Sequence, residues 1–324
     1  HMGMYGSDRE ETQKEVTGLL GIEIKNTDGG ILVDRVIPEG PADKSESKIS
    51  AGDIITKVNG DSVSGNVNFY SKFVNTADER MLLEVKSADG KTREVIIRPV
   101  ANINDLLYNE WVQDRKKLTE EYSGGRIGYI HIKAMGWDSF EEFERELQAT
   151  GYGKDGIVVD VRYNGGGWTT DYLMMVLNYK QHAYTIPRGA ADNLAKDHLK
   201  FTGYYPLGER LPYTAWIKPS IAMCNENSYS NAEIFSHAYQ TLGIGKLVGK
   251  PTFGAVISTG GRSMVDGTFV RLPGRGWYIK KTDNDMEDEP AAPDFVVENA
   301  PDYRAKSTDA QLKKAVEELM KQLK

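Results

Sequence analysis

The fold turns on Gly156-Ile157-Val158-Val159-Asp160-Val161-Arg162-Tyr163-Asn164-Gly165-Gly166-Gly167. Its first half is an apolar strand and its second half a glycine turn. Upstream, Ile127 to Ile132 reads as another strand. Between the two, Asp138 caps a helix in which Phe140, Phe143 and Leu147 share one face. Strand, helix and strand in that order predict a βαβ crossover. Downstream follow a helix over Asp171 to Tyr179, a mixed segment from His182 to Pro212, and a strand over Ser220 to Cys224. Then come a helix over Asn231 to Leu242 and a strand over Lys246 to Val248. A hairpin flanks Asp266-Gly267, and an amphipathic helix runs from Ala310 to Leu323.

The N-terminal third reads differently. Leu106 to Tyr122 is a helix, and before it lie short strands with turn signals between them. Gly21 to Ile24 alternates, Asp28-Gly29-Gly30 turns, and Ile31 to Val33 is apolar. Pro38 to Ala42 opens a short helix, Ile49 to Val58 enters a strand, and Asn59-Gly60 is a hairpin dipeptide. Met81 to Val85 and Arg93 to Arg98 pair around Asp89-Gly90. His1-Met2-Gly3 reads as a cloning remnant and Arg9 to Val16 as the end of a helix. The expected division is a tag and linker over 1–16, a small β-rich domain over 17–100 and an α/β core over 101–324.

The chain has 324 residues, 40% hydrophobic and 27% charged, with a net charge of −7. That composition fits a protein with sizeable cores. No apolar run approaches the roughly 18 residues of a membrane span. With no long basic run, nucleic acid is not an expected partner. One cysteine, Cys224, excludes an internal disulfide framework and a cysteine-rich zinc site. Neither metal nor cofactor is expected, and the compartment, periplasmic, secreted or cytoplasmic, is open.

Consecutive glycines let backbone N–H groups approach a ligand closely, and amides aimed at a developing oxyanion stabilise it by a few kcal/mol. A phosphate loop or a plain tight turn are the other readings of Gly165-Gly166-Gly167. The dinucleotide pattern fails, because Trp168 and two threonines follow, and no Gly-Lys-Ser/Thr appears. At Asn225-Glu226-Asn227-Ser228-Tyr229-Ser230-Asn231 a strand passes through a polar turn into a helix. A serine there is an N-cap or an exposed nucleophile at the positive end of a helix dipole.

Residues 17–99 resemble a PDZ domain. Gly18-Leu19-Leu20-Gly21-Ile22 resembles its carboxylate-binding loop, Val36 to Ala42 its Gly-Pro-Ala turn, and Ile49 to Ile55 with Val58-Asn59-Gly60 its Gly-Asp strand. The resemblance implies β-augmentation, with Leu19, Leu20 and Gly21 meeting a peptide C-terminus. A spacer role is the alternative.

Most of residues 100–324 resemble the tricorn-type and C-terminal-processing serine peptidases. The resemblance implies a βαβ-containing, ClpP/crotonase-like core, and so an α+β / α/β two-domain chain. It makes Ser230 the nucleophile, three positions before Glu233. It makes Gly167 the first choice and Gly166 the second for one oxyanion donor, and Asn231 the other donor. Gly249 to Ala255 carries Ala255 where the C-terminal-processing branch has a lysine base, which points to the tricorn branch and a histidine base. Met286 to Asp294 resembles the tricorn Pro-Asp string and puts the catalytic glutamate at Glu287, with Asp288 in place of an asparagine. The substrate-pocket position falls near Thr185, so no basic preference is implied.

The family's base and its serine partner come from a domain ahead of the PDZ module. The expectation is therefore a C-terminal fragment that hydrolyses peptides weakly or not at all alone, with His182 and His198 as internal alternatives. Lys250 is expected to be a solvated charge, and His131 and His237 structural. Peptides or unfolded proteins are the expected substrates, and self-association into a homo-oligomer is left open. A peptide-binding protein on an inactive peptidase fold is the competing reading. An esterase is disfavoured by the missing G-x-S-x-G.

Overall fold

The computed structural model describes residues 1–6, 15–205, 211 and 213–323. Apart from Glu15 and Val16, the expected helix end over Arg9 to Val16 lies outside them. The chain opens with a strand, β1 (Gly3–Tyr5). Two compact units follow from its contacts. One runs to Gln113, and the other holds Asp114 onward together with β1.

The first unit is an antiparallel sheet of β2 (Ile22–Thr27), β3 (Gly30–Val36), β4 (Ile54–Val58), β5 (Asp61–Ser62), β6 (Met81–Lys86) and β7 (Thr92–Ile97). The strand order is β2-β3-β4-β6-β7, with β5 folded back on β4. Alternation puts Ile31, Val33, Ile55, Leu83 and Val85 into one buried cluster with Phe73. Asn59 and Gly60 both take positive φ, 49° and 88°, which the tight β4–β5 hairpin requires. The helix expected from Pro38 is replaced by turns, and a single 3-10 turn sits at Ser45–Ser47. The chain reverses there through Gly40 N–H on Ile37 O and Asp43 N–H on Gly40 O.

In the second unit the elements are α1 (Asn104–Ser123), which begins in the first unit, β8 (Ile127–His131), α2 (Trp137–Gly151), β9 (Gly156–Asp160), α3 (Thr170–Leu177), α4 (Leu194–Asp197) and β10 (Ser220–Cys224). They continue with α5 (Asn231–Thr241), β11 (Leu247–Gly249), β12 (Ile257–Ser263), β13 (Phe269–Gly276), β14 (Phe295–Val296) and α6 (Ala310–Gln322). Five strands form a parallel sheet in the order β14-β11-β10-β9-β8. Every residue of β9 and β10 is buried, as strands covered on both faces must be. Phe140, Phe143 and Leu147 of α2 join Ile157, Val159 and Phe235 in the main core. Asp138 is not the cap. Gly136 holds that place, and Asp138 sits in the first turn, where its charge faces the helix dipole.

The N-terminal residues set aside on sequence take part in the fold. β1 pairs antiparallel with the edge of β13, opposite Phe269 to Arg271. An unpaired strand edge is a template for any extended segment that reaches it.

Beneath the glycine turn lies a buried charge network. Arg162 Nη2 donates to Asp160 Oδ2 at 2.7 Å and to Asp309 Oδ2 at 3.0 Å, and Nη1 donates to Gln311 Oε1 at 2.9 Å. Tyr129 OH donates to Asp160 at 2.8 Å. Asp309 also caps α6, accepting from Leu312 N–H at 3.0 Å. Burial alone would raise the Asp309 carboxyl, but the Arg162 guanidinium outweighs it and holds the group below the usual range.

Replacing Asp309 with alanine uncovers part of a buried cation and removes a cap, so Asp309→Ala should cost about 3–5 kcal/mol at pH 7. A carboxyl depressed in the folded state stabilises above its ordinary pKa and loses that contribution as pH falls through the folded value. The gap between parent and variant should therefore close below about pH 4. Denaturant unfolding at pH 7 and pH 3 measures both, and an undiminished gap at pH 3 would refute the assignment.

Candidate active site

Two turns meet at the ends of β9 and β10. The serine turn leaves β10 at Asn225 and enters α5 at Asn231. Ser230 takes φ 57° and ψ −116°, a conformation a non-glycine residue adopts only when its surroundings impose it. Glu233 imposes it here. Its buried carboxylate accepts Ser230 N–H at 3.0 Å and Ala255 N–H at 2.9 Å on Oε1, and Thr252 Oγ1 at 2.8 Å and Gly254 N–H on Oε2. The carboxylate thus ties the serine turn to the 252–255 loop.

The glycine turn lies directly against it. A methyl on Gly166 would stand 2.7 Å from Ser230 Cβ and 2.9 Å from Asn231 N, and Gly166 has φ 88°. Only glycine fits such an approach. Two asparagines stitch the turns together. Tyr229 N–H donates to Asn164 O at 2.9 Å, and Tyr163 N–H to Asn225 Oδ1 at 3.0 Å. Ser228 is buried, its hydroxyl donating to Val161 O at 2.8 Å, whereas Ser230 is only half-buried.

The amides separate by occupancy. Gly166 N–H already donates to Asn164 Oδ1 at 2.9 Å. Among the described residues, the N–H groups of Gly167 and Asn231 have no hydrogen-bond acceptor. Asn231 is held in place by other atoms, its Oδ1 accepting Thr170 N–H at 3.0 Å and its carbonyl accepting Thr170 Oγ1 at 2.7 Å. That pair joins the start of α3 to the start of α5.

Glu287 lies next to the 252–255 loop. Asp288 N–H donates to Gly254 O at 3.0 Å, and Glu287 N–H to Asp285 Oδ1 at 3.0 Å. Glu287 Oε2 is buried without a hydrogen-bond partner among the described residues. Its charge reaches Tyr229. Burial raises the Tyr229 phenol above its usual range, Arg271 opposes the rise and Glu287 adds to it. The His1 ring stacks on Tyr229 at 4.8 Å and 15°, with both ring nitrogens buried and unpartnered among the described residues.

The other histidines are engaged elsewhere. His131 Nε2 donates to Arg162 O at 2.8 Å, and burial lowers its imidazole from the usual value. His237 contacts Glu289 O at 3.3 Å, His182 contacts Tyr205 OH at 3.1 Å, and His198 contacts Leu194 O at 3.2 Å. Thr185 is exposed, and its N–H donates to Tyr204 O at 2.8 Å, away from the serine turn. Lys250 is a surface charge, as expected, and lies 3.4 Å from Glu298 and 3.6 Å from Glu226. Among the described residues, no group of three or more His, Cys, Asp or Glu could hold a metal, and no helix is long and apolar enough to cross a membrane.

Sequence reasoning passed over Glu233 as a hub and gave no role to Asn164, Asn225 or Thr252. The Ser-x-x-Glu spacing at Ser230 was a signal for the first, since it is a capping-box pattern. The others form contacts between distant segments and leave no local pattern.

In the first unit, Leu19 exchanges backbone hydrogen bonds with Val100 at 2.8 and 2.9 Å. The N–H groups of Leu20 and Gly21 have no acceptor among the described residues. They border a cavity of about 120 Å³ lined by Leu19, Ile22, Phe69, Phe73 and Ile103.

Comparison with known proteins agrees with this layout. The Peptidase family S41 profile matches residues 126–297, and the PDZ domain profile matches residues 11–91. A β-rich PDZ module and an α/β core, joined in one chain, are the parts of a PDZ-bearing peptidase, and the chain belongs to peptidase family S41. It is 27% identical to the tricorn protease of Thermoplasma volcanium, over 99% of this chain and 30% of that protein. It is 31% identical to a tricorn protease homolog of Saccharolobus solfataricus, over 85% of this chain and 24% of that one. A crystal structure of the tricorn protease superposes with a TM-score of 0.82 at 25% identity, covering 100% of this chain and 31% of the other. The chain thus spans less than a third of the length of each of these relatives.

Glutamine at position 233 keeps the shape but can accept on one oxygen only. Glu233→Gln should leave two of the four donors unmatched, costing about 2–4 kcal/mol in unfolding free energy. A loss under about 0.5 kcal/mol would show that the carboxylate is not the hub.

Proposed function

We propose that this chain is the catalytic part of a serine peptidase, with Ser230 as nucleophile and the N–H groups of Gly167 and Asn231 as its oxyanion hole. The observation that carries the reading is the contact between the two turns. It sets a strained, half-buried serine beside two fixed amides that have no acceptor among the described residues. Ser230 attacks the scissile carbonyl, and the negative charge that develops on the oxygen meets donors that need no rearrangement. Gly166, the second choice on sequence, is a poorer donor because Asn164 already takes its N–H.

A serine hydroxyl needs a base, and we assign that role to a histidine supplied by a domain upstream of the PDZ module. Two features support it. Glu287 Oε2 is a buried acceptor without a donor among the described residues, and the face of Tyr229 accommodates an imidazole, as the stacked His1 ring shows. Glu287 would orient such an imidazole and favour its charged form. The PDZ module would hold peptide C-termini on the Leu20 and Gly21 amides, with Leu19 beside them. Peptides or unfolded proteins are the substrates this arrangement suits.

Fluorophosphonate labelling read by peptide mapping tests the serine. Strong labelling of Ser230 is expected in a chain extended upstream by one domain, weak labelling in this chain, and none after Ser230→Ala. Label on Ser228, or none in the extended form with peptide hydrolysis also absent, would overturn the reading. Strong labelling of this chain that disappears with His1→Ala would overturn the upstream base.

The PDZ role has its own test. Gly21 has φ 72°, and a methyl there would lie 3.1 Å from Pro41 Cδ. Gly21→Val should weaken binding of a peptide with a free C-terminus about tenfold or more. Equal binding of the same peptide amidated would refute carboxylate capture.

A further inference from the structure

Immediately after Gly167 comes Trp168, and it is 56% exposed. Its indole lies parallel to that of Trp137, with ring centroids 6.1 Å apart and planes at 4°. Trp137 is 38% exposed. Tyr172 stands edge-on to both, at 5.8 and 5.5 Å. Large apolar side chains are exposed together at a cost, and such a patch marks a surface that meets something.

This patch is also held rigid. Trp168 N–H donates to Met135 O at 2.7 Å, fixing the backbone beside the candidate oxyanion donor. Trp137 Nε1 donates to Glu141 Oε1 at 2.8 Å, fixing the second ring. Below them Tyr172 packs on Phe140 and Tyr213, at 5.6 and 6.2 Å, so the platform rests on the core. Consecutive Cα atoms are about 3.8 Å apart, so an indole on Trp168 lies within one side chain's reach of a carbonyl held at Gly167 N–H.

We propose that Trp168 and Trp137 form a substrate subsite that receives an aromatic side chain next to the scissile bond. The inference rests on the reading of Gly167 as an oxyanion donor. An aromatic ring is the occupant that fits, because a flat apolar group stacks on an indole face or meets it edge-on and removes its exposed area from water. A lysine or arginine would meet the same indole faces through a cation–π contact, so the titration below sets a Lys peptide beside the Phe peptide.

The test uses the full chain carrying Ser230→Ala and 5-fluorotryptophan, with the Trp137 and Trp168 resonances assigned by single Trp→Phe variants. Blocked, amidated pentapeptides of glycine with one central Phe, Leu, Lys or Ala are titrated in. Amidation keeps them off the PDZ loop. The Phe peptide is expected to shift both resonances and to saturate them at a concentration about tenfold below the Ala peptide. Trp168→Leu, with an unchanged Tm, should remove that preference. Resonances unmoved by the Phe peptide, or moved equally by Ala or Lys, would overturn the subsite. So would a Trp168→Leu variant that keeps the Phe preference. Fluorophosphonate labelling of Ser230 does not pass through the indoles. Labelled serine without a Phe preference sinks the subsite alone, and a Phe preference without labelling sinks the serine assignment alone.

Discussion

A guanidinium taken out of water has to be matched, and Arg162 is wholly buried just beyond the end of β9. Asp160 and Asp309 match it, and they do so from two places 149 residues apart in the chain. The consequence is geometric. Asp160 ends β9, Arg162 begins the turn, and Asp309 starts the last helix, so one ion-pair network sets where the glycine turn points. His131 adds a hydrogen bond to the Arg162 carbonyl from the neighbouring strand.

The serine turn is held by an analogous device of opposite sign. Glu233 is a buried carboxylate with no ion pair among the described residues, satisfied by three backbone N–H groups and a hydroxyl. Hydrogen bonds to a charge are stronger than neutral ones, and four of them can hold a residue in a disfavoured conformation. Ser230 is that residue. Each turn thus has its own buried charge as a fastening, and the two meet where Gly166 leaves no room for a side chain. Stability and the candidate chemistry draw on the same contacts, so variants in the fastenings lower both together.

Much of the fold was legible. The largely apolar strands over 156–161 and 220–224, the helix face of Phe140, Phe143 and Leu147, and the Asn59-Gly60 hairpin are local patterns with local causes, and the structure has each. The departures are also physical. Asp138 was read as a cap, yet it stands one turn position inside a helix that begins after Gly136. The segment from Pro38 closes on its own carbonyls as turns. Gly3–Tyr5 was set aside, yet it is a strand because the free edge of β13 accepts any extended backbone.

The sequence by itself determined most of the strands and helices of the core, the parallel order implied by the βαβ unit, and a short set of candidate residues. Periodicity, turn dipeptides and the glycine run act over a few residues, so they survive in one dimension. What only the tertiary structure decided is which of those candidates touch. Among the described residues it left the Gly167 and Asn231 amides open while Asn164 took that of Gly166, made Glu233 a hub, and left one oxygen of Glu287 without a donor. Those outcomes depend on hydrogen bonds and packing between segments tens of residues apart, and the competition of several donors for one acceptor is settled only when the chain has closed around them.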